Sequence, residues 1–99
     1  MYVKTELLGN GELLTKVFND QHQLHCDHGP AVYTANSEEW YLNGKRHRIG
    51  GPAVFIKKQD YVRAEWWQDG LLHRENFNKP SVIDSDGTIE YWINGDRLK

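Results

Sequence analysis

"WYLNGKRHRIGGPAV", residues 40 to 54, decides the fold, because most of it stands three times in the chain. Upstream is "HCDHGPAV", residues 25 to 32, and downstream is "WWQDGLLHRENFNKPSV", residues 66 to 82. Trp40, Gly44 and His47 recur at the same spacing as Trp66, Gly70 and His73. The same offsets carried backward reach Phe18, His22 and His25; carried forward, they place Tyr91 and Gly95 in "EYWINGDRLK". After each histidine comes a proline turn: Gly29-Pro30, Gly51-Pro52, and a degenerate Lys79-Pro80 in which Phe77-Asn78-Lys79 interrupts the regular spacing. Each proline opens onto Ala-Val or, in the last copy, Ser-Val. A period in roughly the mid-twenties belongs to arrays of stacked supersecondary units.

Within each unit the apolar residues alternate, which is the mark of strands. In "AVFIKKQDYVRAEWW", residues 53 to 67, the alternation puts Val54 and Ile56 on one face with Val62, Ala64 and Trp66. Phe55, Lys57, Tyr61, Arg63, Glu65 and Trp67 are expected on the other. Asn43-Gly44, Asp69-Gly70, Asp86-Gly87 and Asn94-Gly95 supply the left-handed backbone that tight hairpin turns require. No stretch carries a capped 3.6-residue apolar stripe, so no helix longer than a turn is expected. The reading is all-β: a meander of antiparallel hairpins in a single domain over residues 1–99. An opening hairpin at about 1–18 holds Leu7, Leu8, Leu13, Leu14 and Val17. Repeats follow at about 18–39, 40–65 and 66–90, and a C-terminal stub covers 91–99. One hairpin cannot bury its own tryptophan; stacking successive hairpins gives the rings a shared spine.

Composition narrows the function. Ninety-nine residues give one small domain with a thin core. Hydrophobic residues are 38%, yet there are 4 Trp and 5 Tyr, so apolar surface is concentrated in rings. A net charge of -2 gives no basic footprint for nucleic acid or an anionic membrane surface. One cysteine makes no internal disulfide, and "MYVKTELLGNGELL" has no apolar signal core, which points to the cytoplasm.

Trp-Tyr-x-Asn-Gly-Lys-x-His-Arg-x-x-Gly-Pro-Ala, at residues 40 to 53, resembles the MORN-like repeat variants of bacteriophage and large-DNA-virus proteins. The likeness covers about residues 18 to 98 and is clearest in the middle unit. It implies about three MORN-like repeats of stacked hairpins, a scaffold or interaction role, no shared catalytic motif, and a viral source. The expected function is therefore that of a non-enzymatic interaction module, phage-encoded, binding and modulating or inhibiting a host protein in the host cytoplasm. No cofactor is expected.

The candidate contact residues follow from the register. Opposite Trp40, Trp66 and Tyr91, each unit presents a glutamate and then a ring: Glu39 and Tyr41, Glu65 and Trp67, Glu90 and Trp92. Tyr33 and Phe55 on the preceding strands are expected to join that face. Rings flanked by charge are typical interface anchors, and the same face or a sheet edge could pair two copies into a homodimer. The alternative is a small-ligand binder that captures a nucleotide or signalling molecule with His47, Arg48, His73 and Arg74. Recurrence of His25, His47 and His73 instead suits a repeated structural task, an imidazole bonded to the backbone of a neighbouring turn. "HQLHCDH" gathers His22, His25, Cys26 and His28, all competent zinc ligands. Their spacing fits no standard finger and His25 is claimed by the repeat, so no metal site is assigned. Cys26 takes the place held by Arg48 and Arg74. The acids Glu38-Glu39 and Asp84-Asp86 beside turns read as solvated.

Overall fold

The computed structural model describes residues 1–76 and 78–98; Phe77, in the interrupted turn, and Lys99, in the C-terminal stub, lie outside them. Every described element is a strand. The opening hairpin is β1 (Tyr2–Leu7) and β2 (Leu13–Phe18), followed by β3 (Val32–Thr34) and β4 (Ser37–Glu39). The chain then alternates between a large sheet and short ribbons. β5 (Tyr41–Leu42) and β6 (Lys45–Arg46) form a ribbon, and β7 (Val54–Lys58) and β8 (Tyr61–Glu65) return to the sheet. β9 (Trp67–Gln68) and β10 (Leu71–Leu72) make the next ribbon, and β11 (Val82–Asp84) and β12 (Ile89–Glu90) the next sheet hairpin. β13 (Trp92–Ile93) and β14 (Asp96–Arg97) form a last ribbon. The sheet has eight strands in the order β1-β2-β3-β4-β7-β8-β11-β12, each antiparallel to its neighbours, so the predicted hairpin meander is present. Among the described residues no helix is long and apolar enough to cross a membrane.

The ribbons exist because of their turns. Asn43 and Gly44, Asp69 and Gly70, and Asn94 and Gly95 all have positive φ, from 48° to 81°. Two consecutive left-handed residues make the tight turn whose twist matches that of its flanking strands. Asp86-Gly87 differs: only Gly87 is left-handed, at 101°, and the loop closes through Asp84 N–H donating to Thr88 O.

Fully buried small residues join one unit to the next. Ala31, Ala53 and Ser81 are 0%, 0% and 1% exposed. Ala53 O accepts from Trp40 N–H and Ser81 O from Trp66 N–H, while the N–H groups of Ala53 and Ser81 donate to Glu65 O and Glu90 O. Each small residue is thus threaded between two strands, where a bulky side chain has no room. Val17, Val32, Val54, Val82 and Ala64 complete the buried apolar set. The molecule is a slab of 38 × 33 × 18 Å, too thin for a deep core.

Two expectations are corrected by the register. Lys58 pairs with Tyr61 across a two-residue turn, so Val54 lies opposite Glu65 and Ile56 opposite Arg63. Directly paired residues share a face. Val54 and Ile56 therefore go with Glu65, Arg63 and Tyr61, while Phe55 and Lys57 go with Ala64 and Val62. Simple alternation fails here because a two-residue turn joins odd to even positions. The second correction lies in the first unit. His25 N–H donates to Val17 O, as His47 does to Trp40 O and His73 to Trp66 O. Val17, not Phe18, stands where the tryptophans stand. The turn there is one residue longer and closes through Asn19 N–H to Gln23 O, with His22 left-handed at 62°.

Candidate interaction surface

Across the sheet one row runs Val32, Glu39, Val54, Glu65, Val82, Glu90, each directly paired with the next. The three glutamates end β4, β8 and β12, and two residues later a ring begins each ribbon. Glu and ring therefore emerge on the same side. Trp67 Nε1–H donates to Glu65 Oε1 at 2.8 Å, and Trp92 Nε1–H to Glu90 Oε1 at 2.8 Å. Tyr41 donates its hydroxyl to Glu39 Oε1 at 3.1 Å. The glutamate-then-ring pattern is a clasp within each unit, and it orients the ring.

Tyr33 and Phe55 do not join this row. Tyr33 pairs with Thr15 and Glu38, and Phe55 with Glu38 and Ala64. They occupy the opposite face of the sheet, Tyr33 at 39% exposure. The displacement has the same cause as before: the short turns flip parity between paired strands.

Side chains between the rings were not visible as site residues in the sequence. A two-residue ribbon turn pairs each ring with the residue five positions later: Tyr41 with Arg46, Trp67 with Leu72, Trp92 with Arg97. The Arg46 guanidinium lies 5.9 Å from the Tyr41 ring centre and 5.2 Å from that of Trp67, and it bonds Glu39 Oε1 at 3.0 Å. Burial weakens Arg46 as a base, but the Glu39 carboxylate and Tyr41 hydroxyl outweigh it and hold its pKa above the ordinary value. Burial and the nearby Glu39 charge push the Tyr41 hydroxyl up, against the pull of Arg46. At the next step Leu72 replaces the arginine. There a shallow apolar groove of about 200 Å³ opens, lined by Trp67, Gly70, Leu71, Leu72, Trp92 and Gly95.

Beneath Trp67 the clasp extends into the sheet. Arg63 Nε donates to Glu65 Oε2 at 2.6 Å, and Arg63 Nη1 to Asp84 Oδ2 at 2.9 Å. Tyr61 adds its hydroxyl to Asp84 Oδ2 at 2.6 Å, and Asp86 N–H donates to Asp84 Oδ1. The Asp84 side chain is 3% exposed, so its reading as a solvated acid is overturned. The Tyr61 hydroxyl, the Asp86 N–H and Arg63 together hold its carboxyl well below the usual range. Asp84 and Glu65 in turn raise the Arg63 guanidinium above its ordinary value. Trp67 is thus fixed through Glu65, which is tied by Arg63 to a buried carboxylate.

The histidines and their following arginines are used within the chain. His25 Nδ1 accepts from Asn43 N–H at 2.9 Å, His47 Nδ1 from Asp69 N–H at 3.1 Å, and His73 Nδ1 from Asn94 N–H at 2.9 Å. Each imidazole therefore tethers the next ribbon turn. Accepting at Nδ1 places the proton on Nε2, which in His25 faces Asp27 at 2.9 Å. The guanidinium groups of Arg48 and Arg74 each lie 3.9 Å over their own unit's Trp40 or Trp66 ring. They donate to Pro52 O and Pro80 O. Cys26 holds the corresponding backbone place: its N–H donates to Tyr41 O, as Arg48 does to Trp67 O. His22 bonds the Tyr2 hydroxyl at 2.9 Å, so it faces the opening strand. Among the described residues no three His, Cys, Asp or Glu side chains converge as a metal site, and His22, His25, Cys26 and His28 are not brought together. No family model, curated protein or solved structure matches this chain.

Proposed function

We propose that this chain is a small non-enzymatic interaction module whose ring row docks a partner protein. The observation that carries the reading is the apolar groove lined by Trp67, Leu71, Leu72 and Trp92, whose two rings are held by the glutamates Glu65 and Glu90. Rigidly held aromatic rings around a small apolar notch suit a single apolar anchor side chain from a protein. A groove of about 200 Å³ is small for the 300–1,000 Å³ typical of small-ligand pockets. The groups that catalysis or phosphate capture would employ, His47, Arg48, His73 and Arg74, are occupied in holding turns and covering tryptophans. That the partner is a host protein, bound in the host cytoplasm by a phage-encoded module, rests on the likeness to MORN-like repeats alone.

The test uses Leu72→Arg. Arg46 already occupies the corresponding place one step earlier, so the backbone accommodates arginine there. A protein captured from bacterial lysate by the wild-type chain, and identified by mass spectrometry, should lose at least tenfold in affinity to the variant. The melting temperature should stay within a few degrees of wild type. Undiminished binding by a folded Leu72→Arg chain removes the groove as the docking site.

A further inference from the structure

The eight-stranded sheet has two ends, and they differ. One edge is β12, only two residues long. The other is β1, six residues long and exposed throughout, with Tyr2, Val3 and Leu7 among its side chains. Natural edges of that length are normally blunted, because a row of unpaired backbone groups templates pairing with another chain. β1 is held in place at its start: Tyr2 stacks on Phe18 with ring centres 4.7 Å apart, and its hydroxyl bonds His22.

Which groups face outward follows from the ladder. Leu8 N–H donates to Glu12 O, so Leu8 turns its backbone toward β2. Alternate residues of an antiparallel strand address the same neighbour. Glu6, Lys4 and Tyr2 therefore face β2, and Val3, Thr5 and Leu7 direct N–H and C=O outward. Val17 agrees: it is the partner of Val3, and it donates away from β1, to Ala31 O.

A second copy related by a two-fold axis can pair with this edge only where outward residues oppose outward residues. Centring on Lys4 or Thr5 keeps most of the strand paired, centring on Val3 or Glu6 keeps only about half, and charge then separates Lys4 from Thr5. Centring on Lys4 sets Lys4 against Lys4, and centring on Glu6 sets Glu6 against Glu6; like charges directly opposite are destabilising. Centring on Thr5 sets Lys4 opposite Glu6 twice, Val3 opposite Leu7 twice, and Thr5 opposite itself. We propose that β1 is a self-complementary edge through which two copies of this chain pair antiparallel about Thr5, joining their sheets into one. This is independent of the ring groove, which lies beside the ribbons. The Val3–Leu7 pairs fall on the face that carries Thr5, Thr15 and Leu13, where Leu7 and Leu13 are 72% and 59% exposed alone. The Lys4–Glu6 pairs fall on the other face, beside Lys16.

Sedimentation velocity across a micromolar concentration series tests it. The wild-type chain should show a reversible monomer–dimer equilibrium. Thr5→Pro removes an outward N–H at the two-fold and keeps the β1–β2 backbone ladder, though it gives up the Thr5–Thr15 hydroxyl contact; edge strands tolerate proline, and the variant should be monomeric. Lys4→Glu and Glu6→Lys each turn two opposite-charge pairs into like-charge pairs, weakening association by about tenfold or more. Mixed one to one, these two variants restore every Lys–Glu pair across the junction and should dimerise as wild type does. Both side chains are exposed, so the charge variants decide the matter even if Thr5→Pro fails to fold. A wild-type chain monomeric throughout, a dimer indifferent to these substitutions, or a mixture that does not associate would each overturn the proposal.

Discussion

Two successive steps along the ribbon row share a backbone and differ in chemistry. From Tyr41 to Trp67, His47 tethers the next turn and Gly70 N–H donates to Arg46 O; from Trp67 to Trp92, His73 does the same and Gly95 N–H donates to Leu72 O. The glutamate clasp recurs in both. Yet the first gap is filled by a guanidinium tied to Glu39, and the second is an apolar notch over leucine. The sheet shows a parallel contrast. Where β4 meets β7, Ser37 pairs with Ile56; where β8 meets β11, the corresponding pair is Arg63 with Asp84. Recurring residues set the geometry, and residues that break the recurrence set the chemistry that the surface presents.

The largest expected effect belongs to the shared geometry. Trp40 and Trp66 each carry an arginine 3.9 Å above the ring and donate from the backbone to a fully buried residue. Trp66→Ala should cost about 3 kcal/mol, at the low end for losing a large ring because this one is not fully buried. Trp40→Ala should match it within about 1 kcal/mol. In thermal denaturation that is a loss of roughly 12–24 °C for a domain of this size. A Trp66→Ala chain that melts with wild type would show that the rings are not the common support of both steps.

The next effect is confined to the second region and depends on pH. The Asp84 carboxyl is depressed when folded, by Tyr61, the Asp86 N–H and Arg63. A depressed acid stabilises fully above its unfolded pKa, about 3.9, and loses that contribution as pH falls toward the folded value. Asp84→Asn should therefore lower the melting temperature most near neutral pH, and the gap to wild type should close on acidification below about pH 4. A gap of constant size from pH 7 to pH 3 would exclude the ionised carboxylate as its source.

Much of the scaffold was legible because its residues recur. The spacing of Trp40, Gly44 and His47 against Trp66, Gly70 and His73 shows where ribbons turn, and the histidines bond the turns as a recurring structural residue should. The faces were less legible. Alternation within a strand is visible in sequence, but pairing depends on turn length, and the two-residue turn after Lys58 moved Phe55 away from Glu65. The extra residue before His25 likewise hid the equivalence of Val17 with Trp40. Arg46, Leu72, Arg63 and Asp84 were missed because they do not recur as a type. Arg46 and Leu72 could have been found by the five-residue offset from each ring, which a two-residue hairpin turn dictates. Asp84 could not, since its burial depends on Tyr61 and Arg63 arriving from another hairpin.

The smallest effect probes the contrast itself. Arg46→Leu gives the first step the leucine that the second step has at Leu72, removing the bond to Glu39 and the contacts with two rings. Arg46 and Glu39 are both partly exposed, at 35% and 28% of their side chains, so solvent screening limits the loss to about 1 kcal/mol. The melting temperature should fall by about 4–8 °C. A second reading comes from Tyr41, whose hydroxyl is already pushed up by burial and Glu39 while Arg46 opposes the rise. With Arg46 gone that opposition disappears, so ultraviolet titration should show one tyrosine ionising at higher pH than in wild type. The Leu72→Arg chain should leave that tyrosine unchanged, because its arginine sits one ribbon further on. If Arg46→Leu alters neither melting nor the tyrosine titration, the guanidinium does not bridge Tyr41 and Trp67 in solution, and the two steps lose the difference that marks the second as the proposed docking groove.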